Sequence, residues 1–369
     1  MDHPQRIRVA VVYGGRSSEH EVSLQSAKCV LENLNPERYD VLPIAIDKLG
    51  VWHVQDLARL RGMTEHSLPV DTQGEAVVLT AGETGAVLFG RSSPQIDVVL
   101  PIMHGPLCED GSIQGLLELA DVAYVGSGVL GSAVCMDKDV AKRLAKAVGI
   151  DTVEYLCVRA GEWPRDAERL RARIASELGY PVFVKPASLG SSVGVTKVLG
   201  AQDLADAVEE AFTYDTKVLI ERAVDAREIE LAVLSDLEPG SPPEVSLAGE
   251  IVPRDAFYSY ERKYLDPDGA ALHIPALLTP LQAESARHIA RQVFLALECE
   301  GMARIDLFLE RGSGRLLFSE ANTIPGFTTI SMYPKLWQAS GLGYGALLER
   351  LIALALRRHA LRGGLRRTR

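Results

Sequence analysis

The stretch Gly301 to Gly326, GMARIDLFLERGSGRLLFSEANTIPG, constrains this chain more than any other. Two apolar-rich runs flank Arg311-Gly312-Ser313-Gly314, which is the signature of a β-hairpin. Strand alternation puts Arg304 and Asp306 on one face, with Ala303, Ile305 and Leu307 on the other. On the return run Glu320 and Asn322 share a face. With Gly312 to Gly314 as the loop, Asp306 stands opposite Glu320 and Arg304 opposite Asn322. A bulge would alter that register. Two carboxylates and a carboxamide oxygen facing each other make a hard-oxygen site. Such a site suits Mg2+, which binds a few carboxylates and completes its octahedron with water and substrate phosphates. An ordinary hairpin with one solvated face has the same pattern, so the rest of the chain decides.

A chain of 369 residues is too long for one typical core, and two or three lobes are expected. Apolar content of 47% and charged content of 24% belong to a soluble globular protein. The net charge of −10 argues against a general nucleic-acid binder. The basic end, from Leu356 to Arg369, runs against that balance and reads as a frayed, solvated terminus rather than a site for an anionic partner. Cys29, Cys108, Cys135, Cys157 and Cys299 are scattered without metal-ligand spacing, which fits a reducing cytoplasm. The N-terminus lacks a signal peptide's apolar core, and no apolar run is long enough to span a bilayer. Leu347 to Leu356, interrupted by Glu349 and Arg350, reads as an amphipathic helix.

Ile7 to Tyr13 is a short apolar run ending at Gly14-Gly15, hence a buried parallel strand. A helix follows, and Ser18 with Glu21 fits a capping box. The dinucleotide fingerprint G-x-G-x-x-G is missing. Glu19 stands at the strand's carboxyl end, where open α/β sheets bind ligands, but taken alone this position favours a residue that complements the helix dipole. Tyr39 to Ile46 and Ile96 to Met103 are further strands, with a variable hairpin or loop over Pro69 to Pro94 between them. His104 again closes a strand, as a structural histidine or a substrate contact.

Gly126 to Gly131 reads as the linker out of the first lobe, and a helix runs from Ser132-Ala-Val-Cys-Met-Asp-Lys138 through Val148. Pro181 to Val198 reads as two short strands joined by a loop of small residues, through which backbone N–H groups can approach phosphate oxygens. Lys185 lies inside the first of these strands and needs an anionic partner. The loop and lysine together favour phosphate binding over a plain hairpin, although no Walker A motif is present. Strands follow at Lys217 to Glu221, from Arg227, and at Glu244 to Ile251. Asp255 to His273 is polar, aromatic and aperiodic, as a lid would be. A helix over Pro280 to Leu297 leads into the hairpin, and helices at Ser331 to Gln338 and Gly345 to Arg358 close the chain.

Taken in order, GGRSSEHEVSL, HGPLCEDG, MDK, VKPASLGSSVG, VLIER, FYSYERKYL, ARIDLF and EANTIPGFTTISMYP resemble the D-alanine–D-alanine ligase family of the ATP-grasp superfamily. The resemblance runs from about Arg8 to Arg358. It implies an α/β and α+β fold with three-lobed ATP-grasp architecture and a Rossmann-like parallel-sheet lobe at the N-terminus. The expected lobes are 1–126 for substrate, 127–221 as the central ATP-grasp lobe, and 222–369 as the C-terminal one, with a lid at 255–272 and a metal hairpin at 302–322.

The resemblance also implies roles. Lys138 and Lys185 contact ATP phosphates, Glu221 and Glu228 hold adenine and ribose, and Lys263 reaches the γ-phosphate as the lid closes. Asp306, Glu320 and Asn322 bind two Mg2+, with Mn2+ as a substitute. Glu19 receives the ammonium of the first D-alanine, linked to Ser191 and Tyr264, with His104 close by. Arg304 and the backbone around Gly326 stabilise the oxyanion, while Ser331 and Met332 border the second D-alanine. The implied protein is a cytoplasmic homodimeric enzyme of peptidoglycan precursor synthesis, acting on neither nucleic acid nor membrane. A D-alanine–D-lactate ligase and a catalytically silent nucleotide-binding regulator are the alternatives.

Overall fold

The structure is a computed structural model that describes residues 6–65, 67–82, 85–89, 95–238, 240–253 and 270–366. The expected lid, with Lys263 and Tyr264, lies outside the described residues apart from its last turn into a strand at Ala270–His273.

Three sheets organise the chain. The first is built from β1 (Ile7–Gly14), β2 (Tyr39–Ile46), β3 (Trp52–Val54), β4 (Ala76–Gly82), β5 (Gly85–Phe89), β6 (Gln95–Ile96), β7 (Val98–Ile102) and β8 (Ala123–Tyr124). Their order is β6-β5-β4-β3-β2-β1-β7-β8, parallel from β2 to β8 and antiparallel from β2 outward to β6. Val9 to Tyr13 at its centre are at most 1% exposed, so β1 is covered on both faces, as its unbroken apolar run requires. The variable region holds the β4–β5 hairpin.

The second sheet, β11-β10-β12-β9, contains β9 (Tyr155–Arg159), β10 (Val182–Pro186), β11 (Thr196–Val198) and β12 (Lys217–Arg222). The third contains β13 (Ala226–Leu234), β14 (Glu244–Val245), β15 (Gly249–Pro253), β16 (Ala270–His273), β17 (Met302–Glu310) and β18 (Leu316–Asn322). The run expected as one strand over Glu244 to Ile251 is split into β14 and β15.

Ten α-helices cover these sheets among the described residues: α1 (His20–Asn33), α2 (Leu57–Arg61), α3 (Ser112–Leu119), α4 (Val129–Met136), α5 (Lys138–Ala147), α6 (Trp163–Arg173), α7 (Leu204–Phe212), α8 (Pro280–Ala296), α9 (Met332–Ala339) and α10 (Tyr344–Gly363). The capping box expected at Ser18 does not form. The N-cap of α1 is Glu19, and Glu21 pairs with Lys48 at 2.5 Å instead. A true capping box closes α8, where the Gln282 amide donates to Thr279 Oγ1 at 3.2 Å and the Thr279 amide donates to Gln282 Oε1 at 3.0 Å.

The hairpin has its expected pairing for an unexpected reason. Asp306 does pair with Glu320 and Arg304 with Asn322. Near the loop, however, Leu309 pairs with Leu316 and the Glu310 amide donates to the Arg315 carbonyl, so the turn is Arg311 to Gly314, one residue longer than supposed. A bulge at Ser319, between the Leu307–Phe318 and Asp306–Glu320 pairs, restores the register. It also changes which parity faces the core. Phe318 is fully buried, whereas Glu320 and Asn322 turn to the polar face.

The basic end is a second correction. α10 continues to Gly363, and Arg358 donates to the carbonyls of Gly126 and Tyr124, the latter at 2.8 Å. Arg358 and Arg362 both reach Glu300 Oε2, at 3.3 and 3.2 Å. Among the described residues no single helix is long and apolar enough to cross a membrane. The bent pair α9–α10, at 104°, is packed into the core through Leu336, Trp337, Leu347, Leu351 and Ile352.

Candidate active site

The third sheet supplies the acidic face. Glu230 on β13 stands opposite Asp306 on β17, which stands opposite Glu320 on β18. Arg304 forks onto Asp306, with Nε 2.7 Å from Oδ1 and Nη2 2.6 Å from Oδ2, and its Nε lies 3.1 Å from Glu230 Oε2. Asn322 donates to Asp306 Oδ2 at 3.1 Å. Glu320 takes Lys138 from α5 at 3.5 Å. Among the described residues no cluster of three His, Cys, Asp or Glu side chains is arranged to hold a metal ion. The donor set of two carboxylates and one carboxamide still fits Mg2+, whose remaining positions go to water and substrate phosphate oxygens.

The first sheet contributes the loops at the carboxyl ends of β1 and β7. Glu19 is 5% exposed and accepts a hydrogen bond from the Ser191 hydroxyl, which arrives from the small-residue loop after β10. Ser191 and Ser192 both have left-handed φ, +54° and +59°, so this contact is held in strained backbone. His104 is 4% exposed, with Nδ1 3.1 Å from the Ile324 carbonyl and Nε2 3.3 Å from Ser26 Oγ. Glu109 lies 3.8 Å from His104 Nδ1. Burial works to lower the His104 pKa, but Glu109 and Glu19 outweigh it and hold it above the ordinary histidine value. Burial, with Glu19 adding, pushes the Glu109 carboxyl up.

The central sheet and α5 bring the cations. Lys138 donates to the Leu189 carbonyl at 2.5 Å. Lys185 on β10 is paired with Glu221 on β12 at 2.5 Å. Burial works to raise the Glu221 pKa, yet Lys142 and Lys185 together hold it below the ordinary range. Lys217 pairs with Asp137, and with Asp139 at 3.3 Å. Glu228 is half-buried on β13, next to the β12–β13 turn.

After β18 the chain passes Gly326, where a Cβ would come within 2.8 Å of Ser331 Oγ. Ser331 is the N-cap of α9, and its hydroxyl accepts from the Thr328 amide at 3.0 Å. Met332 is 5% exposed and packed in the core. One cleft is lined by Glu109, Met136, Lys138, Gly190, Glu320 and Asn322, and so receives residues from all three sheets' neighbourhoods. Glu109, Glu230, Lys142 and Lys217 were not singled out from sequence. Glu109 had a signal, since it stands in the same HGPLCEDG stretch as His104.

A central antiparallel sheet carrying Lys185, with Lys138 of α5 set against a carboxylate hairpin across a cleft, defines an ATP-grasp protein. The D-ala D-ala ligase N-terminus matches residues 8–127, and the D-ala D-ala ligase C-terminus matches residues 144–353. The chain is 51% identical to D-alanine–D-alanine ligase A of Bradyrhizobium diazoefficiens over 370 residues, covering 98% of each. It is 44% identical to D-alanine–D-alanine ligase A of Escherichia coli strain K12, covering 99% of this chain and 100% of that one. The D-alanine–D-alanine ligase structure from Coxiella burnetii superposes with a TM-score of 0.82 at 35% identity, covering 97% of this chain and 96% of that one. A D-Ala:D-Ser ligase from Enterococcus faecalis also superposes at 0.82, with 34% identity, over 95% of this chain and 100% of that one. The chain belongs to the D-alanine–D-alanine ligase family.

Proposed function

We propose that this protein joins two D-alanines into D-alanyl-D-alanine, with ATP converted to ADP and phosphate, for peptidoglycan precursor synthesis. The observation that carries this reading is one cleft lined by Glu109, Gly190, Asn322 and the Lys138–Glu320 pair, in a chain related to such ligases over its whole length. We take the lobes to be 1–126, 127–221 and 222–369, and the protein to be a cytoplasmic homodimer, the last testable by light scattering.

A carboxylate is a poor acyl donor. The carboxylate oxygen of the first D-alanine therefore attacks the γ-phosphorus, ADP departs, and an acyl phosphate forms. The neutral amine of the second D-alanine then attacks the acyl carbon, and phosphate leaves as the amine loses its proton. Glu19, steadied by Ser191, receives the first ammonium, and His104 borders that substrate. Lys138 and Lys185 take the phosphates, while Glu221 and Glu228 take adenine and ribose. Asp306, Glu320 and Asn322 would hold Mg2+, which supplies charge neutralisation to the triphosphate when bound. Arg304 and the backbone near Gly326 receive the developing oxyanion, a contribution of about 3 kcal/mol for one such donor. Ser331 and the Met332 amide border the second D-alanine. Lys263 and Tyr264 keep the roles that the resemblance gives them, at the γ-phosphate and beside Ser191.

The fold alone does not choose the second substrate, since the D-Ala:D-Ser ligase superposes as well as the D-alanine–D-alanine ligase. The choice rests on the sequence relatives, which are D-alanine–D-alanine ligases. The experiment is product analysis by mass spectrometry with ATP, Mg2+ and D-alanine, with equimolar D-lactate or D-serine in competition. Dipeptide of D-alanine alone is expected to predominate. Predominant ester or D-alanyl-D-serine would overturn the substrate assignment, and no D-alanine-dependent phosphate release would mark a regulator.

A further inference from the structure

The roles assigned so far leave the buried cation Lys142 unused. Lys142 lies one turn beyond Lys138 on α5 and is 0% exposed. Its Nζ is 3.1 Å from Glu221 Oε1 and donates to the Phe318 carbonyl at 3.4 Å. The rings of Tyr155 and Phe318 flank it, each 6.0 Å away. The other oxygen of Glu221 is paired with Lys185. One buried carboxylate thus bridges two lysines, of which Lys185 retains 14% side-chain exposure and Lys142 none.

We infer that Lys142 is a positioning residue for ATP, which keeps Glu221 paired when Lys185 leaves that carboxylate for the nucleotide's phosphates. The inference rests on the reading of Lys185 as a phosphate ligand. Lys185 cannot serve Glu221 and a phosphate fully at once. Glu221 is 3% exposed, and a buried carboxylate stripped of its cation is strongly unfavourable. Without Lys142, the phosphates would have to win Lys185 away from Glu221. With Lys142 in place, the charge on Glu221 stays balanced after Lys185 moves. Lys142 has no surface of its own, so it acts on the nucleotide through Glu221.

The same arrangement gives a pH signature. Burial pushes the Lys142 pKa down to about 8, with Lys185 adding to the fall and Glu221 and, more weakly, Glu320 opposing it. The groups facing its ammonium are Glu221 from β12, Lys185 from β10, Tyr155 from β9 and Glu320 from β18. Below that pH Lys142 is protonated, Glu221 is neutralised and Lys185 is available. Above it Lys142 loses its proton, Glu221 recruits Lys185, and ATP binding weakens.

The test uses the full chain with ATP and Mg2+ for kinetics, and a non-hydrolysable ATP analogue for binding. Lys142→Met should raise the KM for ATP by about tenfold or more, leaving kcat and the KM for D-alanine within about twofold. Glu221→Gln with Lys142→Met should bind the analogue no more weakly than Glu221→Gln alone, because no carboxylate then needs a cation. Wild-type affinity for the analogue should fall between about pH 7 and pH 9, and the fall should be absent in Lys142→Met. An unchanged KM for ATP in Lys142→Met overturns the inference. Lys185→Met separates the two claims. If it binds the analogue like wild type, the phosphate reading of Lys185 fails; if it weakens binding and Lys142→Met does not, the positioning role alone fails. Should Lys142→Met not fold by circular dichroism, Lys142→Gln takes its place, and an unchanged KM for ATP in that variant overturns the inference.

Discussion

Glu19 depends on a glycine far from it in sequence. Gly105, with φ +79°, follows His104, and a Cβ there would lie 2.6 Å from Ser17 Oγ and 2.8 Å from Glu19 Oε2. The loop can pass the carboxylate this closely because residue 105 has no side chain and tolerates left-handed backbone. Gly105→Ala should therefore cost about 1–3 kcal/mol of stability from backbone strain. It should also displace Glu19, raising the KM for D-alanine at the first site while the KM for ATP stays the same. The measurements are urea unfolding and steady-state kinetics with each substrate varied. A variant with wild-type D-alanine KM would mean that Glu19 is not held by this contact. From its place after a strand, Glu19 read as a ligand contact or a helix-dipole residue; its burial against Ser191 is a contact across 172 positions that no local pattern carries. Gly105 was not legible, because its importance comes from a side chain 86 positions away in the sequence (Glu19 to Gly105).

The two elements proposed for the ATP side were legible to different degrees. The β17–β18 hairpin could be read from its alternation, and its polar pairs were anticipated. Its turn length and its bulge were not, because a run such as LLFSEAN has no local mark for the residue that is left unpaired. The two departures cancel, so the site residues pair as alternation alone suggests. Helix α5 is the other element. Asp137 caps it by accepting from the Val140 amide at 3.1 Å, and the same carboxylate holds Lys217. Asp137→Ala should lose about 1 kcal/mol from the cap. It should lose somewhat more in total, because Lys217, at 9% side-chain exposure, keeps only Asp139 of its two carboxylates. Asp137→Asn retains the cap but not the charge, and should fall between Ala and wild type in a thermal melt. An Ala variant that melts with wild type would show that α5 does not depend on this residue.

At the scale of the whole molecule, the cores show how the sheets are joined. One apolar cluster runs without a break from Val9 and Ile102 in the first sheet through Leu336 and Leu351 to Ala232 and Met302 in the third. The central sheet keeps a cluster of its own, with Val158, Val184 and Ile220 under Leu170 and Leu204. The first and third sheets thus form one hydrophobic unit through α9 and α10, a union that strand and helix patterns could not show because it depends on contacts across about three hundred residues. Composition was misleading here, since the arginine-rich end suggested a solvated tail. Arg358 is instead 14% exposed at its side chain, stacks 4.4 Å over the Tyr124 ring and binds two carbonyls beside β8. Arg362, at 39% exposure, holds Glu118 and Glu300 nearer the surface. Hydrogen bonds from a charged donor to partly buried carbonyls contribute about 1.5–3 kcal/mol, whereas exposed ion pairs contribute about 0–1 kcal/mol. Arg358→Ala should therefore lower the urea midpoint well beyond Arg362→Ala, and Arg358→Lys should recover only part of the loss, because an ammonium cannot reproduce the planar fork and its stacking. If the Arg358 and Arg362 variants shift the midpoint equally and slightly, α10 joins the sheets by its apolar face alone, and the arginines are the solvated end that the charge pattern first suggested.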